Sequence, residues 1–574
     1  MHKKSSTGQG RSEKGAVVKP RGGRTTVGLV FPGTYYVGMS SLGYQTIYRI
    51  INARRNALAE RLFLPDAKSP SSLSPLSSPI TSVESKTRAR DFEILGFSVA
   101  FEHDYAGVAD FLRLSGIPPF SRDRDESHPL LILGGVCTFF NPEPIADFFD
   151  AVIVGEAEES INEFLDEYVN AKSSSRQELL VNLSKIPGVY IPSLYTPSYN
   201  TDGTLRSLTA APGAPEKVVR RYVKDLDKFP AKSAIITPDT EFSDMFMIEL
   251  SRGCGRHCRF CMAGYVYRPP RNRSFESVKK DIEEGRKLAG KIGLVGSAVS
   301  DYPEIAALAS EFKDQEINFS ASSLRADSLT PELARLVSKG NRTVAIAPEA
   351  GSERLRAVIN KNISQEQVLS AVRTLIEAGV LNVKLYFMVG LPTERDEDIE
   401  EIIALASRTR EEMLSAARGK GRMGTLSLSV NCFVPKPWTP FQWEPMQTAD
   451  KLKSKIQHIA KALKGPNMAV THDVPKYAVL QAALARGDRR LAKVILNASE
   501  NGGDWKAAFA DEGLDMEVYA SRERGVQEKF AWDFLDTGIK KDFLLKERER
   551  ARKARHTPRC APGKCRTCGV CVGP

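Results

Sequence analysis

Cys254, Cys258 and Cys261 stand together in Ser251-Arg-Gly-Cys-Gly-Arg-His-Cys-Arg-Phe-Cys261. Three thiolates at this spacing can hold a [4Fe-4S] cluster by three of its irons and leave the fourth open. An open iron is a reactive position, so the segment points to chemistry rather than to structural support. A structural zinc site built from the same thiolates and His257 is the competing reading.

The chain has nine cysteines, and four more fall in a second group, Cys560, Cys565, Cys568 and Cys571. Its x2, x2 steps resemble ferredoxin-type iron-sulfur binding more than a zinc ribbon, which separates two cysteine pairs by a longer loop. Four ligands close such a cluster, which suits electron relay rather than substrate chelation; zinc is the alternative. Cys137 and Cys432 stand alone in apolar, strand-like runs and are expected to be plain buried thiols. Arg252, His257, Arg259, Arg268, Arg271 and Arg273 crowd the first group. Positive charge there would ease reduction of an anionic cluster or hold an acidic substrate group, unless the residues simply form a solvated loop surface.

The elements that must position these groups fall into two α/β series. Val-Gly-Leu-Val-Phe at 27–31, then apolar runs at 94–100, 130–133 and 151–154, alternate with helical patterns at 42–51, 107–115 and 158–169. That alternation predicts a doubly wound parallel sheet over 27–195, with ligand sites at the strands' carboxyl ends. A Ser/Pro-rich loop covers 69–85, and a Pro-punctuated connection covers 196–241. Over 242–470, strand-like runs at 245–250, 292–298, 317–322, 343–347, 382–389 and 425–432 each precede a helix. Six βα units predict a partial (β/α)6 barrel with its chemistry on the loops after the strands. The first three cysteines lie on the first such loop. Residues 471–558 read as a helical extension, and 559–574 as a Cys-rich tail too poor in apolar residues to fold without metal.

The Cys-x3-Cys-x2-Cys spacing, with Phe260 before the last cysteine, resembles the signature of the radical S-adenosylmethionine (SAM) superfamily over 242–470. The resemblance implies that Cys254, Cys258 and Cys261 hold a [4Fe-4S] cluster whose open iron chelates SAM. Reductive cleavage of SAM would then give a 5′-deoxyadenosyl radical that abstracts hydrogen. It further implies that Phe260 packs near the adenine, that Ser322, Arg325 and Glu349 bind the ribose or carboxylate, and that Gly390 lines the adenine. The family's frequent Gly-Gly-Glu after the second strand is replaced here by Gly296-Ser-Ala-Val-Ser-Asp301. The N-terminal part resembles the cobalamin-binding-like domain of a radical SAM subgroup through Pro32–Met39, Leu95–Ser98, Gly134-Gly135 and Val154–Ala157. The Asp-x-His-x-x-Gly motif that ligates cobalt is missing, so any bound cobalamin would lack that histidine. A reductant such as flavodoxin or ferredoxin is the implied partner.

The formal net charge of +11 resides in the ends. Residues 1–26 carry seven Lys/Arg against one Glu, and 540–574 carry eleven against three acids, which leaves the body near neutral. Residues 1–26 are expected to be a disordered basic tail. Both ends are either solvated or polyanion contacts, and a tRNA-directed role has only them for support. No apolar run approaches a membrane span and no signal-peptide core is present, so a cytoplasmic protein is expected. The rival to a radical enzyme is a non-catalytic iron-sulfur electron-transfer protein.

Overall fold

The computed structural model describes residues 12–66, 79–321, 324–418 and 424–571. In the N-terminal part, β1 (Thr25–Phe31), β2 (Ala57–Phe63), β3 (Ile94–Ser98), β4 (Leu130–Gly134), β5 (Ala151–Ile153) and β6 (Val189–Tyr190) form one sheet in the order β2-β1-β3-β4-β5-β6. All neighbours are parallel except β6, which runs antiparallel to β5. Every residue of β1 and β2 is buried, as strands covered on both faces require. Val27, Leu29 and Ile132 face Tyr44, Ile51 and Phe164 of the helices Leu42–Ala53 and Ala157–Asn170. Val30, Leu95 and Leu133 face Val108, Phe111 and Leu112 of the helix Asp104–Ser115. Helices on both faces make the sheet doubly wound. The connection contains a hairpin, β7 (Tyr195–Tyr199) with β8 (Leu205–Ala210), and the short strand β9 (Val218–Val219).

The barrel follows. Its parallel strands are β10 (Met245–Glu249), β13 (Lys291–Val295) and β14 (Asn318–Ala321), then β15 (Thr343–Glu349), β16 (Asn382–Val389), β17 (Leu426–Cys432) and β18 (Met468–His472). A bridge between Leu324 and Ile346 joins the two runs. Between β10 and β13, the stubs β11 (Ser251–Arg252) and β12 (Arg271–Asn272) pair antiparallel. The helices start where the sequence caps them: Ser274, Thr330 and Ser364 each accept a backbone N–H from the following first turn. Along β15 and β16, buried Ile346, Leu385 and Phe387 alternate with half-exposed Ala347, Glu349, Lys384 and Tyr386. The buried set joins the core packed against the flanking helices.

β18 is a seventh strand beyond the six expected. Its residues are half to fully exposed and Met468 and Val470 are its apolar positions besides Ala469, so it lacks the apolar run that marks the other six. The helices Pro475–Ala485, Leu491–Glu500, Trp505–Asp511 and Met516–Ser521 follow, and Leu491–Glu500 packs back on Asp104–Ser115. β19 (Leu535–Asp536) pairs with β9, and the helix Lys541–Arg552 packs on the short helix Glu353–Val358.

The free basic tail expected over 1–26 is corrected where it is described. Lys14 bridges to Ile236, Glu13 pairs with Arg61 at 2.7 Å, and Lys19 donates to the Arg54 carbonyl at 2.9 Å. Residues 1–11 lie outside the described residues, as do 67–78 of the Ser/Pro-rich loop. Among the described residues, no helix is long and apolar enough to cross a membrane.

Candidate functional site

The loop between β11 and β12 carries the first three cysteines. Gly253 turns it at φ +81°, and a Cβ there would lie 2.4 Å from the Tyr267 carbonyl oxygen, so only glycine closes the stem. The Cys254 N–H donates to Ala263 at 3.2 Å and the Cys261 N–H to Cys258 at 3.1 Å, which fixes the loop's curl. Cys258 is buried and the other two are half-buried. Burial, then Cys258 and Cys254, push the Cys261 thiol up to about 12; burial, then Cys258, also raise Cys254. A cation beside Cys254 and Cys261 would offset that opposition, and the three-cysteine donor set fits an iron-sulfur cluster. His257 offers less to zinc. It is buried, its ring nitrogens lie 3.0 and 3.3 Å from Arg268 Nη2, and burial with Arg268 and Arg259 pushes it down to about 3.

The cationic loop is neither solvated nor free for an acidic substrate group. Arg252 pairs with Glu156 at 2.9 Å, Glu158 at 2.7 Å and Glu249 at 2.8 Å. Arg271 makes a bidentate pair with Glu156 at 2.7 and 2.8 Å. Arg273 pairs with Asp281 at 2.8 Å, and Arg259 with Glu547 at 3.1 Å. All four side chains are nearly or fully buried, and buried guanidinium groups require such partners. Glu156, in the Gly-Glu turn after β5, therefore grips both stems of the cysteine loop.

The remaining predicted contacts are distributed around the strand ends. Phe260 packs against an apolar cluster that includes Ala350, Met388, Leu391 and Phe433. Arg325 donates to Asp327 at 2.9 Å and to the Lys361 carbonyl at 3.0 Å; burial opposes its charge, but Cys258 and then Asp327 hold its pKa up. Glu349 ends β15 at φ +71°, a conformation a non-glycine side chain holds at a cost, and pairs with Lys361 at 3.2 Å. Gly390, at φ +86°, donates its N–H to Glu394 at 2.9 Å, and a Cβ there would meet Leu452 at 2.6 Å. Ser322 lies outside the described residues. Asp301, at the end of the segment that replaces Gly-Gly-Glu, binds Arg256 of the cysteine loop at 2.7 Å; Arg256 also reaches Asp327 at 2.8 Å.

Of the C-terminal cysteines, Cys560 rests against this loop. The Cys560 N–H donates to the Gly255 carbonyl at 2.8 Å, and a Cβ on Gly255 would come within 3.4 Å of Cys560 Cβ. Burial raises the Cys560 thiol, Arg268 lowers it, and Cys568, Cys571 and Cys565 raise it again. Upstream, Asn360 exchanges bonds with Thr557 at 2.8 and 3.2 Å and donates to the Arg256 carbonyl at 3.1 Å. Thr557 in turn donates to Glu547 at 2.7 Å. Asn360, Glu547, Thr557 and Arg256 were not visible as site residues in the sequence. Each is a common type without a motif, and only chain proximity gives it a role. Among the described residues, no three His, Cys, Asp or Glu side chains converge tightly enough to hold a single metal ion.

Residues 43–192 match the family described as radical SAM proteins, N-terminal, and 248–406 match the radical SAM superfamily. An uncharacterized protein of Methanocaldococcus jannaschii is 30% identical over 526 residues, covering 90% of this chain and 98% of that one. A tRNA-2-methylthio-N(6)-dimethylallyladenosine synthase of Petrotoga mobilis is 24% identical over 33% of this chain and 47% of its own length. Among solved structures, the apo cobalamin-dependent S-adenosylmethionine radical enzyme OxsB aligns over 67% of this chain and 52% of that chain, at 17% identity and a TM-score of 0.45. The chain belongs to the radical SAM superfamily, the enzymes that work with a [4Fe-4S] cluster and SAM, and it carries an additional N-terminal α/β domain.

Proposed function

We propose that the protein cleaves SAM reductively at a cluster held by Cys254, Cys258 and Cys261 and takes hydrogen from an unactivated carbon of its substrate. The observation that carries this reading is the set of three cysteines on the loop that follows the first barrel strand. When bound, the cluster supplies one electron to the sulfonium, whose bond to the 5′-carbon breaks into methionine and a 5′-deoxyadenosyl radical. The chain's own residues orient SAM. Arg325, anchored by Asp327 and placed beside Cys258, suits the methionine carboxylate. Glu349, steadied by Lys361, suits the ribose hydroxyls. Phe260 with Met388 and Leu391 forms an apolar wall for the adenine, and the Gly390 turn brings backbone close to it. Hydrogen abstraction is followed by methylation, rearrangement or sulfur insertion.

Cys560, Cys565, Cys568 and Cys571 hold a second [4Fe-4S] cluster in this reading. Their x2, x2 steps favour a four-iron cluster over a zinc ribbon, which separates two cysteine pairs by a longer loop. The N-terminal domain serves as a docking platform rather than a cobalamin site. Its strand ends are engaged: Glu102 pairs with Lys436 and accepts from Gln481 at 2.9 Å, and Asn141 donates to Ala485 and Gly487 at 3.1 and 2.8 Å. The apolar cavity beside Gly96, Gly134, Gly135 and Ala157 measures ≈ 70 Å³, well below the roughly 300 Å³ of the smaller ligand sites. A flavodoxin or ferredoxin would deliver electrons in the cytoplasm. An RNA contact through the N-terminus has less room, because Lys14, Lys19, Arg21 and Arg24 are tied to backbone carbonyls.

The test is anaerobic reconstitution with iron and sulfide, reduction with dithionite in the presence of SAM, and quantitation of 5′-deoxyadenosine. The wild-type chain should produce it and a Cys258→Ala variant should not; equal yields would end the proposal.

A further inference from the structure

Arg268 is a fully buried cation on the first cysteine loop, at 1% exposure. Its Nε donates to the Gly264 carbonyl of the first cysteine loop, and its Nη2 approaches His257 at 3.0 Å. The guanidinium carbon lies 5.3 Å from the Tyr265 ring centroid and 5.5 Å from that of Phe543, in the first turn of the helix Lys541–Arg552. The residue before that helix, Lys540, donates its N–H to the Cys568 carbonyl at 2.9 Å, which ties the same turn to the C-terminal cysteines. Arg268 therefore lies between the first cysteine loop and the turn that holds Cys568. Its Nη1, however, is buried without a hydrogen-bond partner. A buried charged donor left unmade is costly, so its retention calls for an acceptor that the polypeptide itself does not supply. The second cysteine group is tied to the turn that carries Phe543, the ring beside this guanidinium.

We propose that Arg268 donates Nη1–H to the iron-sulfur cluster held by Cys560, Cys565, Cys568 and Cys571 and raises that cluster's reduction potential. The inference rests on the reading that these cysteines hold a cluster. A cationic donor to a sulfur stabilises the more negative, reduced form, so its removal lowers the potential. Because the same side chain also grips the Gly264 carbonyl and His257, the two cysteine sites share one positioning residue.

The experiment is an anaerobic redox titration, followed by electron paramagnetic resonance, of the full chain reconstituted with iron and sulfide. Wild type, Arg268→Lys and Arg268→Met are compared, and Cys258→Ala identifies the signal of the first cluster by its loss. The expected result is roughly eight irons per chain, as two four-iron clusters require, with the second signal of Arg268→Met titrating at a more negative potential. The first signal should stay in place, and Arg268→Lys should shift the second signal less than Arg268→Met does. Wild-type potentials in Arg268→Met with both clusters retained overturn the proposal. Should Arg268→Met fail to hold iron, Arg268→Lys decides: an unmoved second signal overturns the proposal and a negative shift supports it. A Cys565→Ser/Cys568→Ser chain with the same iron content as wild type would remove the second cluster itself, and this inference with it. Roughly eight irons with unmoved potentials would sink the Arg268 role alone.

Discussion

At the residue scale, Asp104 shows how burial sets chemistry away from the cysteines. Its carboxylate accepts the Phe101 N–H at 3.0 Å, yet burial outweighs that bond and pushes it up to about 6. Between pH 6 and 4 the native chain holds a proton that the unfolded chain, titrating near 3.9, has released; stability therefore falls as pH rises through that window. Asp104→Asn keeps an acceptor and removes the ionisation. It should be about 2 kcal/mol more stable than wild type at pH 7, and the gap should close by pH 4, as read from urea midpoints at each pH. The cysteines were legible because their type and spacing are rare together. Glu547 and Thr557 were not, because carboxylates and hydroxyls abound and theirs matter only through a guanidinium some 290 positions earlier in the chain, with separations of 288 and 298 residues.

At the element scale, the helix Lys541–Arg552 is pinned to the cysteine loop by the Arg259–Glu547 pair, with Thr557 and the carbonyls of Ala357, Val358 and Arg555 saturating the guanidinium. Arg259→Met takes the close guanidinium from the buried Glu547 carboxylate and leaves it the Thr557 hydroxyl at 2.7 Å and Arg550 at 3.9 Å. The expected cost is about 3–5 kcal/mol, and the chain after Arg552 should become a preferred site of limited proteolysis; an unchanged cleavage pattern and midpoint would refute the pinning role. Six barrel strands were legible from their apolar runs and following helices, whereas β18 was hidden because an exposed edge strand needs few apolar residues. The solvated loop expected around the cysteines failed for a related reason. Arginine composition reports charge but not its partners, and Glu156, which pairs with both Arg252 and Arg271, sits on the other domain.

For the whole molecule, Glu156 is the clasp between domains. It meets Arg271 and Arg252 and also accepts the Val223 N–H at 2.8 Å, and these partners hold its carboxyl below its ordinary range against the effect of burial. Glu156→Ala leaves two buried guanidinium groups short of a partner. It should cost about 3–5 kcal/mol and, in calorimetry, separate the N-terminal sheet's unfolding from the barrel's; a single transition at the wild-type temperature would count against it. The two α/β series and the family were readable along the chain, because periodicity and cysteine spacing are local properties. Tertiary structure alone decided that Cys560 rests on Gly255, that the basic loop is internally neutralised, and that Arg268 stands between the two thiol groups. Those outcomes depend on which distant residues burial forces together, and desolvated charges accept only partners that the folded chain brings within hydrogen-bond reach.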